Sequence, residues 1–253
     1  MKIGIVIPAR LQSERLPNKV LKPFFGKVMI EHVWKRANLI SEKIEIVIAT
    51  DSTEIKSTCE SFGAKVILTS KNHQNGLSRV GEVAKILKWN FYIILQADEI
   101  LIDPKNLDML IQTVKKNNSA PFYNLIAALK ENSELNDQNV VKCLIRNDNS
   151  LITLFRLSGS VASKSTQMNF TKKICGVFAI SHECLIEVTR SPAQIIETNE
   201  SIEQMKLLEL NYQIYGVEIN KNYPSVNTEI EAIEVLKILT QDPYQKSILN
   251  LIS

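Results

Sequence analysis

Short apolar runs alternate with amphipathic segments through the first half of this 253-residue chain, and no other feature narrows its fold as much. Residues 2–7, 44–50, 65–68 and 92–96 read as strands. Between them, residues 28–39, 54–62 and 77–88 carry apolar positions at helical spacing. Strands alternating with helical patterns predict βαβ units, hence an α/β protein with a mainly parallel central sheet and flanking helices. A further helix over residues 104–116 is expected behind Asp103 as N-cap, with Pro104 in its first turn. The second half has more strand character, at residues 125–128, 140–145, 151–155 and 174–180, before helices at 201–210 and 228–239. Residues 158–172 are polar and weakly patterned, which suits a surface loop or a dimer arm. Without repeats or a clear linker, the chain reads as one domain, 1–253, with a strand-rich insertion near residues 120–190.

Composition excludes several functions. Apolar content of 45% and charged content of 23% are ordinary for a globular protein. The formal charge is only +3, with no long basic run, so nucleic acid is not an expected partner. Cys59, Cys143, Cys175 and Cys184 form no CxxC pair and read as reduced, mostly buried thiols. His32, His73 and His182 lie far apart in sequence and give no support for zinc. The first apolar run is too short for a signal peptide and nothing approaches a membrane span, so a cytoplasmic location is the expectation. There is no GxxxxGK[ST] loop and no GxGxxG after the first strand, which counts against kinase-type and dinucleotide binding. With eight glycines in all, phosphates must be held by side chains and a few loop amides.

The first strand stops at Pro8, and the polar loop behind it supplies Arg10, Ser13, Arg15 and Lys19. In an open α/β sheet, ligands sit outside the carboxyl ends of the strands, where this loop would lie. Three cations there call for an anion, and a polyphosphate is the obvious one. One ion pair at about 4 Å gives roughly 4 kcal/mol at an effective dielectric near 20, before desolvation. Holding a triphosphate therefore takes several cations together.

From Pro8 to Leu21 the chain reads PARLQSERLPNKVL. This resembles the opening P-A-R-x-x-S-x-R-L-P-G-K-x-L of the sugar-activating nucleotidyltransferases, and most closely the 3-deoxy-manno-octulosonate cytidylyltransferases. Every named position is kept except Gly, replaced by Asn18. The resemblance runs from Ile3 to about Leu236 and implies a Rossmann-like nucleotidyltransferase fold. It also implies a homodimer, a Mg2+ cofactor, and CTP and an acidic sugar as substrates. Ala9, Arg10, Ser13 and Lys19 then belong to the nucleotide site, with Arg10, Arg15 and Lys19 on the triphosphate.

Later segments match the family less fully. In residues 93–102, IILQADEILI, a strand delivers Gln96, Ala97, Asp98 and Glu99 at its carboxyl end, where the family has Gln-Gly-Asp-Glu-Pro. Asp98 suits magnesium, which takes hard oxygen ligands. Alternatively, Asp98 and Glu99 cap the next turn. Residues 73–80 hold Gly76 and Arg79 of a loop that reads the base in relatives; Arg79 reaches base or phosphate, or is a solvated first-turn residue. Glu203 and Gln204 resemble a pair that bonds sugar hydroxyls, although by themselves they are ordinary helix residues. Arg156 matches an arginine aimed at the sugar carboxylate in bidentate fashion. Lys173 stands where relatives carry His or Gln, and Gln96 completes the implied sugar pocket. Asn227 replaces an Asp that helps hold the metal. It removes a negative charge there, or it N-caps the final helix, or both.

The reading is a cytidylyltransferase that joins CTP to a 3-deoxy-ulosonic acid, giving CMP-sugar and pyrophosphate for cell-surface polysaccharide or lipopolysaccharide synthesis. Lys173 and the altered base loop keep open a different acidic or amino-modified sugar. Asn227 and Ala97 keep open a nucleotide-binding homologue with reduced or lost turnover. A dehydrogenase is disfavoured by the missing glycine fingerprint.

Overall fold

The computed structural model describes residues 1–12, 15–157 and 164–253. Strand β1 (Ile3–Ala9) is almost wholly buried, with Ile3, Ile5 and Ile7 in the core on one face of the sheet and Val6 in the core on the other. That is the two-residue period of a strand covered on both faces. Gly4 is required there, since a Cβ would lie 2.1 Å from the Trp89 ring. A small hairpin, β2 (Pro23–Phe24) and β3 (Lys27–Val28), leads into α1 (Met29–Ala37). The alternating half continues through β4 (Glu45–Thr50), α2 (Thr53–Ser61), β5 (Lys65–Leu68), α3 (Gly76–Leu87) and β6 (Phe91–Leu95). Next come α4 (Pro104–Lys116), β7 (Phe122–Ala128), β8 (Lys142–Ile145), β9 (Leu151–Phe155), α5 (Lys164–Phe170) and β10 (Thr171–Ser181). The remainder is α6 (His182–Arg190), α7 (Ile195–Glu200), α8 (Met205–Glu209), β11 (Ile214–Ile219), α9 (Glu229–Gln241) and α10 (Pro243–Leu251).

Among the described residues, nine strands form one sheet in the order β11-β7-β10-β6-β1-β4-β5, with β8 on β10 and β9 on β8. β1 pairs in parallel with β4 and β6, placing Ile5 opposite both Ile46 and Ile93. β10 runs antiparallel to β6, β7 and β8. The chain moves outward from β1 to β4 and β5, then returns to β6 on the other side of β1. That reversal opens a crevice at the carboxyl ends of β1 and β6, the place where such sheets bind ligands. Helices cover both faces, as an α/β architecture with a mainly parallel sheet requires.

The expected boundaries shift where local signals mislead. Residues 201–210 are not one helix: α7 ends at Ser201, which is left-handed (φ 52°, ψ 47°), and α8 begins only at Met205. The apolar spacing of Ile202 and Met205 identified core residues, both buried, without showing the break between them. Asn227 does not cap the final helix. Thr228 caps α9 by accepting from the Glu231 amide, and the last helix is α10, capped by Asp242. Residues 158–163 of the expected loop or arm lie outside the described residues, and 164–170 are helical. Strand β11 and helices α6 and α10 were not anticipated. All four cysteines are buried and free.

Candidate active site

The loop after β1 turns at Asn18, whose left-handed backbone (φ 54°) is a conformation Asn tolerates and Gly adopts readily. Lys19 then points across the crevice. Its Nζ donates to Asp98 Oδ2 at 2.7 Å, to Asn227 Oδ1 at 3.0 Å and to the Val226 carbonyl at 3.3 Å. Lys19 and Asp98 side chains are only 16% and 13% exposed, so water screens the pair weakly. At an effective dielectric near 20 the attraction is about 6 kcal/mol before desolvation. Asp98 sits just beyond β6, and its carbonyl accepts from the Val226 amide, which fixes the Asn227 segment beside it. Asp98 Oδ1 is buried without a hydrogen-bond partner.

Two adjoining cavities of about 580 and 530 Å³ open here, within the usual range for small-molecule sites. Arg15, Gln96, Asp98, Glu203 and Asn227 border both. The first cavity is walled by Ala9, Arg10, Lys19 and residues 73–76, the second by Glu99, Arg156, Lys173, Gly176 and Gln204. Arg10 and Arg15 are exposed; Arg10 donates to the Gln74 carbonyl and Arg15 to Asn139 Oδ1. Ser13 lies outside the described residues.

Other side chains are committed in ways the sequence did not reveal. Arg79 is buried, donating to Thr69 Oγ1 and the Ser70 carbonyl and pairing with Asp51 at 3.5 Å. It is therefore not a solvated first-turn residue, and it ties α3 to the ends of β4 and β5. Arg156 donates from Nε, Nη1 and Nη2 to the carbonyls of Glu200, Gln138 and Ser201. Among the described residues, these bonds engage three of its five N–H groups. Lys173 pairs with Glu134 at 3.3 Å. Gln204 is buried and donates to Asn124 Oδ1. Glu203 accepts from the Gly76 amide at 3.0 Å and the Leu77 amide at 3.3 Å, the first two amides of α3. Burial pushes its carboxyl up, against the pull of those two donors.

Glu99 and Gly176 were missed as a unit. The Gly176 amide donates to Glu99 Oε1, and the Gly176 carbonyl accepts from the Gln96 amide, both at 3.0 Å. A Cβ at Gly176 would come within 2.6 Å of Glu99 Oε1 and 2.9 Å of Gln96 Oε1. Burial, then the neighbouring Asp98, pushes the Glu99 carboxyl up to about 7. The register of β10 slips between Ile174 and Phe178, and Asn124 donates to the Cys175 carbonyl. The signal was available: a lone glycine inside a strand pattern marks a bulge or a close approach.

The sequence pattern of the cytidylyltransferase family matches residues 4–219. The chain belongs to that family. A 3-deoxy-manno-octulosonate cytidylyltransferase of Chlorobium limicola is 34% identical to it over 231 residues, covering 90% of this chain and 93% of the relative. An 8-amino-3,8-dideoxy-manno-octulosonate cytidylyltransferase of Shewanella pealeana is 32% identical, covering 90% and 94%. Among solved structures, a CMP:2-keto-3-deoxy-manno-octonic acid synthetase complexed with CTP superposes with a TM-score of 0.89 at 29% identity, covering 96% of this chain and all of the other. This cytidylyltransferase is thus a nucleotidyltransferase enzyme of the 3-deoxy-manno-octulosonate group. No helix among its described residues is long and apolar enough to cross a membrane.

Proposed function

We propose that this enzyme transfers the cytidylyl group of CTP to the anomeric hydroxyl of a 3-deoxy-ulosonic acid, as a cytoplasmic homodimer supplying lipopolysaccharide or related surface-polysaccharide synthesis. The observation that carries the reading is the meeting of Lys19, Asp98 and Asn227 where two ligand-sized cavities join. The anomeric hydroxyl oxygen attacks the α-phosphorus in line and its proton passes to solvent, while the bond from the α-phosphorus to the bridging oxygen of the β-phosphate breaks and pyrophosphate leaves with its charge. Such a transfer depends on positioning and on neutralising charge.

Arg10, Arg15 and Lys19 hold the triphosphate, with Arg15 and Lys19 beside the departing pyrophosphate. The first two amides of α3, at Gly76 and Leu77, are directed at Glu203. Gln96, Lys173, the remaining donors of Arg156, and Gln204 form the acceptor side, the cations facing the sugar carboxylate.

The residues present fit Mg2+. Asp98 offers a buried, unbonded carboxylate oxygen, and Asn227 offers an amide oxygen. Among the described residues no three His, Cys, Asp or Glu side chains form a metal cluster, which suits an ion that keeps waters and borrows phosphate oxygens. Bound there, magnesium would neutralise phosphate charge and lower the pKa of the attacking hydroxyl.

The test is magnesium-dependent pyrophosphate release from CTP with a panel of sugar acids that includes 3-deoxy-manno-octulosonate and its 8-amino analogue. Release with the parent sugar supports the proposal. Release only with the amino analogue favours the chemistry named for the Shewanella relative. CTP binding without release for any sugar points instead to a nucleotide-binding homologue. Sedimentation of the purified protein tests the dimer.

A further inference from the structure

Helix α3 presents its amino end to the nucleotide cavity, and all three of its leading amides are already taken. Ser78 N donates to Asn75 Oδ1 at 2.9 Å, while Gly76 N and Leu77 N donate to the two carboxylate oxygens of Glu203. A carboxylate at that end is favoured by the helix dipole as well as by the hydrogen bonds. This one arrives from 127 residues away in sequence.

The segment that carries it is anchored independently of α3. Arg156 grips the carbonyls of Glu200 and Ser201, Ser201 makes a left-handed turn, and Gln204 is tied to Asn124 on the central strands. The other links between residues 74–75 and the walls of the cavity are long: Arg10 to the Gln74 carbonyl at 3.4 Å and Asn75 to Glu197 at 3.5 Å. His73 holds the far end of the loop through Glu82 of α3 itself, so the short contacts that fix the loop against the opposite wall of the cavity are those of Glu203. Both of its oxygens are engaged by backbone before any sugar is present.

We infer that Glu203 is a positioning residue for the nucleotide: through Gly76 and Leu77 it holds residues 73–76 in place to receive CTP, and it is not primarily a ligand of the sugar. This rests on the cytidylyl-transfer reading above.

CTP binding measured calorimetrically, with magnesium and with no sugar present, separates the two roles. Glu203→Ala should raise the CTP Kd about tenfold, and Glu203→Gln by roughly threefold, because the amide keeps one acceptor for the helix amides. At saturating CTP, the sugar KM should move less than about twofold. Circular dichroism establishes that each variant is folded, and the isosteric Gln variant carries the test should Ala not be. Gly76→Ala disturbs the same helix end by another route, since its Cβ would crowd Pro8 at 3.3 Å while standing at ordinary contact distance, 3.7 Å, from Glu203 Oε1. It too should weaken CTP binding. A CTP Kd unchanged in the Glu203 variants, with the sugar KM raised, overturns the inference while leaving cytidylyl transfer intact. Failure of the wild type to bind CTP removes both.

Discussion

Replacing Asn227 by Asp adds one negative charge at the point where Lys19 already bridges two acceptors. Asn227 Oδ1 lies 3.0 Å and Asp98 Oδ2 2.7 Å from the same nitrogen, so the two oxygens are within about 6 Å of one another. At an effective dielectric near 20, two carboxylates about 5 Å apart repel by roughly 3 kcal/mol, while Lys19 attracts the new one by roughly 5 kcal/mol. Before desolvation these opposing effects leave a net attraction of roughly 2 kcal/mol in the metal-free site. A divalent cation shared by Asp98 Oδ1 and the new carboxylate gains an attraction that an amide cannot match. Net of desolvation, about 1.4 kcal/mol or more should survive, a tenfold or greater gain in affinity. The assay is titration of the nucleotide-free protein with Mn2+, read by electron paramagnetic resonance, which needs no turnover. The variant should bind at least tenfold tighter than wild type, and Asn227→Ala no tighter. If the Asn227→Asp and wild-type affinities agree within twofold, residue 227 does not face the metal, and its contact with Lys19 is the whole of its role.

Lys19→Ala removes the charge paired with Asp98 and should lower kcat/KM for CTP by about 100-fold or more, since phosphate stabilisation is what the site supplies; unchanged kinetics in a folded variant would reject the assignment. Gly176→Ala should destabilise the protein by about 1–3 kcal/mol by overpacking Glu99 and Gln96, with a raised sugar KM, measured by denaturant unfolding and steady-state assay. Asp242, bonded by Lys221 and by the first amides of α10, has its carboxyl held down at about 2 from an ordinary 3.8. A depressed carboxylate stabilises the fold above its unfolded pKa and loses that contribution as pH falls through the folded value. The thermal midpoint should therefore drop between about pH 4 and pH 2, and Asp242→Asn should flatten that slope; an identical slope in the variant would remove Asp242 as its source.

What the sequence made legible was local. Ile3, Ile5 and Ile7 show a strand, although it runs on through Pro8, which pairs with Ala49, and ends at Ala9 rather than at the proline. Asp98 after an apolar run shows an acid at a carboxyl edge, and both signals lie within ten residues. Asp103 and Pro104 mark the start of α4 for the same reason. What stayed hidden depends on distant partners. Nothing near Arg79 in sequence says that Asp51 and Thr69 will surround it. The Glu203 pair with α3 spans more than half the chain, and read alone it looks like an exposed helix acid. The break at Ser201 is held by Arg156, just past β9, which binds the Glu200 and Ser201 carbonyls against apolar spacing that would suit a continuous helix. Helix α6 escaped because β10 passes straight into it at His182, with Ser181 as the cap and no glycine or proline to mark the change.

Strand β10, lying against its neighbours β6 and β7 in the opposite sense, has a consequence for how such an enzyme diversifies. Under the proposed function, the nucleotide would be met chiefly by loops leaving β1, β5 and β6, whereas part of the sugar side would be met by the middle of a strand travelling back, at the slipped register around Gly176. That part of sugar recognition would then lie on a stretch of chain that can be edited by itself. Exchanging residues around the kink from Lys173 to Gly176, together with the facing turn that carries Glu134, would retune which sugar is accepted and leave the machinery for CTP untouched.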